Sequence, residues 1–133
     1  MAQGASNNPY AQYQTQNVMT ASPGELTLML YDGAIKNIRL AAHAMEEKQL
    51  ERAHECLIKA QAILGELQGS LRGEEELVGQ LNALYDFITG ELVNANVKKE
   101  AGLLNDPLEL LLELRETWQE AVLINRKQQY GVG

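Results

Sequence analysis

The sequence predicts an all-α protein, an antiparallel up-down-up-down four-helix bundle preceded by a mobile N-terminal segment. Three observations carry that reading. Leu, Ala, Glu and Gln dominate and aromatics make up only 5%, a composition rich in helix formers and poor in strand formers. Apolar residues recur at alternating spacings of three and four along four separate stretches, the period of one helical face. Each stretch holds about 22 residues, roughly 33 Å of helix, and the first two joints are short enough to force neighbours antiparallel. At 133 residues and 45% hydrophobic, the chain is long enough for one domain with one core.

Residues 1–21 form a separate unit. They are rich in Gln, Asn and Ala, with Tyr10, Tyr13, Val18 and Met19 as isolated apolar points, and cannot build a core of their own. Such a segment is either disordered or laid against the bundle. The bundle spans residues 22–127, and residues 128–133 are expected to be a disordered tail.

The first helix opens in "TASPGELTLMLYDGAI", Thr20 to Ile35. Ser22 suits the N-cap, Pro23 the first helical position, and Glu25 completes a capping box. Leu28, Tyr31, Ile35, Ile38, Ala42 and Met45 then mark a seam facing the bundle. The second helix keeps the same spacing from Leu50 through Ala53, Leu57, Ala60, Leu64 and Leu67 to Leu71. Gly65, Gly69 and Gly73 weaken its end, either fraying it before Arg72-Gly73 or admitting another backbone.

The third helix is expected from about Glu74 to Val97. Leu77, Leu81, Leu84, Ile88, Leu92 and Ala95 lie on one face, widened by Val78, Tyr85 and Phe87. The long connection "KKEAGLLND" follows, and a fourth helix restarts at Asp106-Pro107. Leu108, Leu111, Leu112, Arg115, Trp118 and Val122 line one side of it, and the cations Arg126 and Lys127 suit its end.

Charge and composition exclude several functions. A net charge of −7 repels phosphate backbones and anionic lipid, so neither nucleic acid nor membrane is an expected partner. No stretch of about eighteen apolar residues could span a bilayer, and residues 1–16 lack the basic and apolar regions of a signal peptide. A single cysteine, Cys56, allows no internal disulfide and fits a reducing, cytosolic setting.

Chemistry is equally sparse. A di-iron bundle needs two Glu-x-x-His pairs, and "ERAH" at Glu51 to His54 supplies one, because His43 has Leu40 three residues before it. Cys56 lacks an arranged base, and no glycine-rich loop has the ending of a phosphate loop. The reading is a binding protein, not an enzyme, with no cofactor and no small-molecule substrate.

Surplus apolar area is the stronger clue. Met29, Leu30, Phe87, Val93, Leu110 and Leu114 fall off the seams of three helices. Together they suggest grooves open to a partner, whose own helix or extended chain would lie there. The polar tail with its tyrosines would act as a lid over such a groove.

Three passages carry a resemblance: "NPYAQYQTQNVMTASPGELTLMLYDGAI", "ALYDFITGELVNAN" and "LRETW". Over nearly its whole length the chain resembles the flagellin-specific export chaperones of the FliS family. The resemblance implies an antiparallel helical bundle in the bacterial cytosol that binds the C-terminal segment of newly made flagellin. It implies that binding blocks premature polymerisation and presents flagellin to a component of the flagellar type III export gate. It also implies that the segment around Asn8, Pro9 and Tyr10 moves when flagellin binds, and it implies no nucleotide or metal.

On that reading Tyr10, Tyr13, Val18 and Met19 are expected to form the lid. Met29, Leu30, Leu84, Tyr85, Ile88, Leu111, Leu114 and Trp118 are expected to wall the groove, with core positions as the alternative for Tyr85 and Trp118. Asn94 and Asn96 would bond a partner's backbone or cap the helix end. Two alternative readings are a self-assembling structural bundle and a metal-dependent bundle oxidase built on Glu51 and His54.

Overall fold

In the computed structural model, which describes residues 22–129, the chain forms four α-helices in an antiparallel bundle, with no strand among those residues. Helix α1 spans Pro23–Glu46, α2 Leu50–Gly69, α3 Glu75–Lys98 and α4 Asn105–Gln129. A single 3₁₀ turn, Ala101–Leu104, joins α3 to α4. Each helix packs on its two neighbours in the ring α1-α2-α3-α4, most closely between α1 and α2 and least between α3 and α4.

The start of α1 is built as the sequence implies. Ser22 Oγ accepts from the Glu25 N–H at 3.2 Å, and Glu25 Oε1 accepts from the Ser22 N–H at 3.2 Å. Those bonds hold the Glu25 carboxyl below its ordinary pKa and satisfy donors that the first turn leaves free. The turn into α2 is tight and places Lys48 at φ 62°, a left-handed conformation that reverses the chain in three residues.

Alanine lets α1 and α2 approach closely. Ala34, Ala41 and Ala44 of α1 and Ala53 and Ala60 of α2 are all buried, beside Ile35, Ile38, Met45, Leu57, Leu64 and Leu67. The α2 seam is therefore buried from Ala53 to Leu67, while its outermost member, Leu50, is 46% exposed. Leu28 and Ala42, expected in the α1 seam, are only half-buried; Ala41 and Ala44 take the inward positions.

Glycine serves at places the spacing did not single out. A Cβ on Gly24 would lie 2.9 Å from Val122 Cγ2, so the bare backbone lets the end of α4 close on the start of α1. By contrast, Cβ atoms on Gly65 and Gly69 would meet nothing within 4 Å, and α2 ends at Gly69. Lys99, at φ 54°, caps α3, and the connection beyond it inserts Leu104 into the core. Helix α4 continues to Gln129, two residues past the expected stop at Lys127.

Candidate functional site

Burial divides the bundle into a closed end and an open end. The core is filled by Ile35 to Met45, Ala53 to Leu67, Tyr85 to Ala95, and Leu104 to Leu111. Toward the other end burial is confined to α2: no residue of α1 before Tyr31, of α3 before Tyr85, or of α4 from Leu112 to Gln128 is buried. Among the described residues no further element packs on the apolar side chains there, which leaves hydrocarbon facing outward.

A cavity of about 290 Å³ opens at that end. Leu67 of α2, Leu71 just beyond its end, Leu77, Val78 and Leu81 of α3, and Trp118 of α4 line it, together with Pro23 and Thr27 of α1. A shallower groove of about 460 Å³ runs over α1 and α2 past Leu26, Leu30 and Gly69. The Trp118 ring is held in place because its indole N–H donates to the Gly24 carbonyl at 3.1 Å. Beside it, Arg115 donates to both carboxylate oxygens of Asp32, joining α4 to α1 across the surface. Exposed pairs of this kind contribute about 0–1 kcal/mol, so they set geometry more than stability.

Tyr85 lines the cavity and is paired with the buried Tyr31 behind it. Their hydroxyls hydrogen-bond to each other, with ring centroids 6.4 Å apart and planes tilted by 52°. Burial first, and then the shared bond, push the Tyr31 phenol far above the ordinary value of 10.0; burial also raises Tyr85. Both raised values mean that the folded state holds these protons more tightly than the unfolded chain does. The resulting stability is complete below the ordinary phenol pKa near 10 and is lost as pH rises past it. Tyr31→Phe is accordingly expected to cost about 1 kcal/mol at pH 7 and to flatten the alkaline loss of stability, measured by urea unfolding on either side of pH 10.

The expected wall residues separate into two groups. Met29, Leu30, Leu84, Leu114 and Trp118 are half-buried, with faces toward solvent; Trp118 lines the cavity and Leu30 the α1–α2 groove. Ile88 and Leu111 are corrected from groove wall to core, each with 0% exposure, whereas Tyr85 takes its core alternative at 2% and still lines the cavity. They lie where all four helices close, so a partner meets at most the cavity-side edge of Tyr85. Tyr10, Tyr13, Val18 and Met19 lie outside the described residues.

Sequence reasoning placed Leu77 and Leu81 inside because they continue the α3 seam. Leu77 is in fact 52% exposed, since the seam runs past the point where neighbouring helices cover it. Their position within two turns of the helix start was the available signal. Off-seam Phe87 and Val93 are exposed, and Leu110 is half-buried.

The residues weighed for metal chemistry point outward. Glu51 and His54 are exposed, and His54 Nδ1 shares a hydrogen bond with Asn96 Nδ2 at 2.9 Å. Asn96 also accepts from Lys99 Nζ through its carbonyl and its side chain, so its bonds are made within the chain. Among the described residues no three His, Cys, Asp or Glu side chains are grouped to hold a metal ion, and none of the buried residues is charged. Cys56 is free and buried.

A helical bundle whose concave surface is apolar, with its charged groups in solvent, has the architecture of a binding module. Comparison with known proteins gives the class a family. The model of the flagellar protein FliS family matches residues 6–125. The flagellar secretion chaperone FliS of Bacillus subtilis strain 168 is 45% identical, the match covering 97% of each chain. The corresponding protein of Salmonella typhimurium strain LT2 is 32% identical over 84% of this chain and 85% of its own. A solved structure described as a flagellar chaperone from bacteria superposes with a TM-score of 0.71 at 23% identity, covering 86% of this chain and 98% of that one. The chain belongs to the FliS family of flagellar secretion chaperones. Among the described residues no helix is long and apolar enough to cross a membrane.

Proposed function

We propose that this chaperone works in the cytosol, holding the C-terminal segment of flagellin in the open end of its bundle and carrying it to a component of the flagellar export gate. The observation that supports this most is the uncovered apolar cavity between Leu71, Leu77, Leu81 and Trp118, in a chain of the secretion-chaperone family. A segment that self-associates in a filament exposes apolar side chains when free. Covering them here stabilises the pair by roughly 25 cal/mol per Å² buried, much of it offset by ordering a flexible chain. The net affinity is then high enough to block premature polymerisation and low enough to release.

Met29, Leu30, Leu84, Leu114 and Trp118 are the wall residues proposed to touch flagellin. Pro23 lines the cavity, and the segment bearing Tyr10, Tyr13, Val18 and Met19 precedes it directly in the chain. That placement supports a lid which flagellin displaces. Because apolar contact carries the binding, it should change little with salt. Flagellin lacking its C-terminal segment is expected not to be retained by the immobilised chaperone; undiminished capture would defeat the reading.

A further inference from the structure

We propose that the outer groove between α3 and α4 is a second docking surface, which accepts a helix of another protein with lysine or arginine along the edge of its apolar face. The groove has a volume of about 310 Å³ and is lined by Phe87 of α3 and by Asp106, Glu109, Leu110 and Glu113 of α4. It shares no lining residue with the cavity at the open end.

Phe87 is 53% exposed in the middle of a helix, with Leu110 beside it, so the floor is hydrocarbon left in water. The rim is purely acidic. Asp106, Glu109 and Glu113 fall at spacings of three and four, which aligns their carboxylates along about 10 Å of one α4 face. The salt bridges found among the described residues, Arg115–Asp32 and Arg126–Glu25, leave all three without a cation.

Three aligned carboxylates repel one another, and a bound cation relieves that repulsion. The same cation, placed over the Phe87 ring, gains a cation–π contact. The outer face of α3 beside Phe87 continues through Ala83, Gly90 and Val97, all exposed. A Cβ at Gly90 would meet nothing within 4 Å, so this face is smooth enough for a helix backbone to lie close. A second copy of this chain fits poorly, because it would bring another net charge of −7 to an acidic rim. The complementary occupant is therefore basic along one edge and apolar along the other.

The test uses the full chain and two labelled designed peptides of about 20 residues, long enough to span the groove as helices. Both carry the same leucine and alanine face; one has lysines along its edge and the other has glutamates. The lysine-edged peptide is expected to bind, the other not. Its affinity should fall at least about tenfold between about 50 mM and 500 mM salt. Phe87→Ala should weaken it by at least about tenfold, without changing capture of flagellin. The triple change Asp106→Asn, Glu109→Gln, Glu113→Gln should remove the salt response. Equal binding of both peptides overturns the proposal, as does indifference to Phe87→Ala or a salt response that survives the triple change. Displacement of the lysine-edged peptide by a flagellin C-terminal peptide, or a self-association that Phe87→Ala abolishes, overturns it too. The peptide comparison needs only the unaltered chain, so a variant that fails to fold leaves the decision intact. Salt sensitivity separates this surface from the open end, and either proposal can fail alone.

Discussion

Leu111→Ala is expected to lower the unfolding free energy by about 2–5 kcal/mol, read by urea denaturation, and to free α4 before the other helices. Leu111 is 0% exposed, and with Pro107 it completes the fully buried residues of α4. The eighteen residues that follow Leu111 in the helix contribute only half-covered or exposed side chains where burial is described. Truncating the anchor removes three buried heavy atoms and leaves a void where the 3₁₀ turn, α1 and α3 converge on α4. A domain stable by about 5–15 kcal/mol loses a large fraction of that margin. Amide exchange should show α4 opening at lower free energy than α1 and α2, whose alanine-lined contact is untouched. Uniform loss of protection across all four helices would contradict this account.

Leu77→Glu should abolish client capture while leaving the fold alone. Leu77 lines the open-end cavity yet is 52% exposed, so the free protein has little to lose when it becomes polar; a change within about 0.5 kcal/mol is expected. The bound state is different. A partner covering that wall would bury a carboxylate beside Glu74, Glu75 and Glu76 with no cation supplied by the cavity lining apart from Arg72, whose Nη1 is bonded to the Gly69 and Leu71 carbonyls. Affinity for flagellin should drop by at least about thirtyfold, as for a central contact in an apolar interface. Titration calorimetry on the variant, alongside its thermal melt, checks both halves. Retained affinity would move the client away from this end of the bundle.

Much of the fold was legible in the sequence because helical periodicity reports burial directly. Ala53, Leu57, Ala60, Leu64 and Leu67 were read as inward and are inward, since α2 is covered by neighbours on both sides. The capping box at Ser22 was readable from three residues because its bonds are local. What failed was long-range. Spacing says which face a residue occupies, not whether another helix reaches that height. Leu77 therefore looked like core and is surface, whereas Leu111 and Ile88 looked like groove and are core. Leu104 was hidden in a connection too short to display a period, and only the packing of the 3₁₀ turn places it inside. The Tyr31–Tyr85 pair joins residues 54 positions apart and has no sequence signature at all.

Trp118 is the chain's single tryptophan, and the structure sets it at the mouth of the cavity, tethered to Gly24. Tryptophan fluorescence of this protein therefore originates from one address. Any molecule that settles over the opening excludes solvent from that indole and shifts its emission toward shorter wavelengths. Occupancy can thus be followed in real time, on unlabelled material, by the colour of one ring.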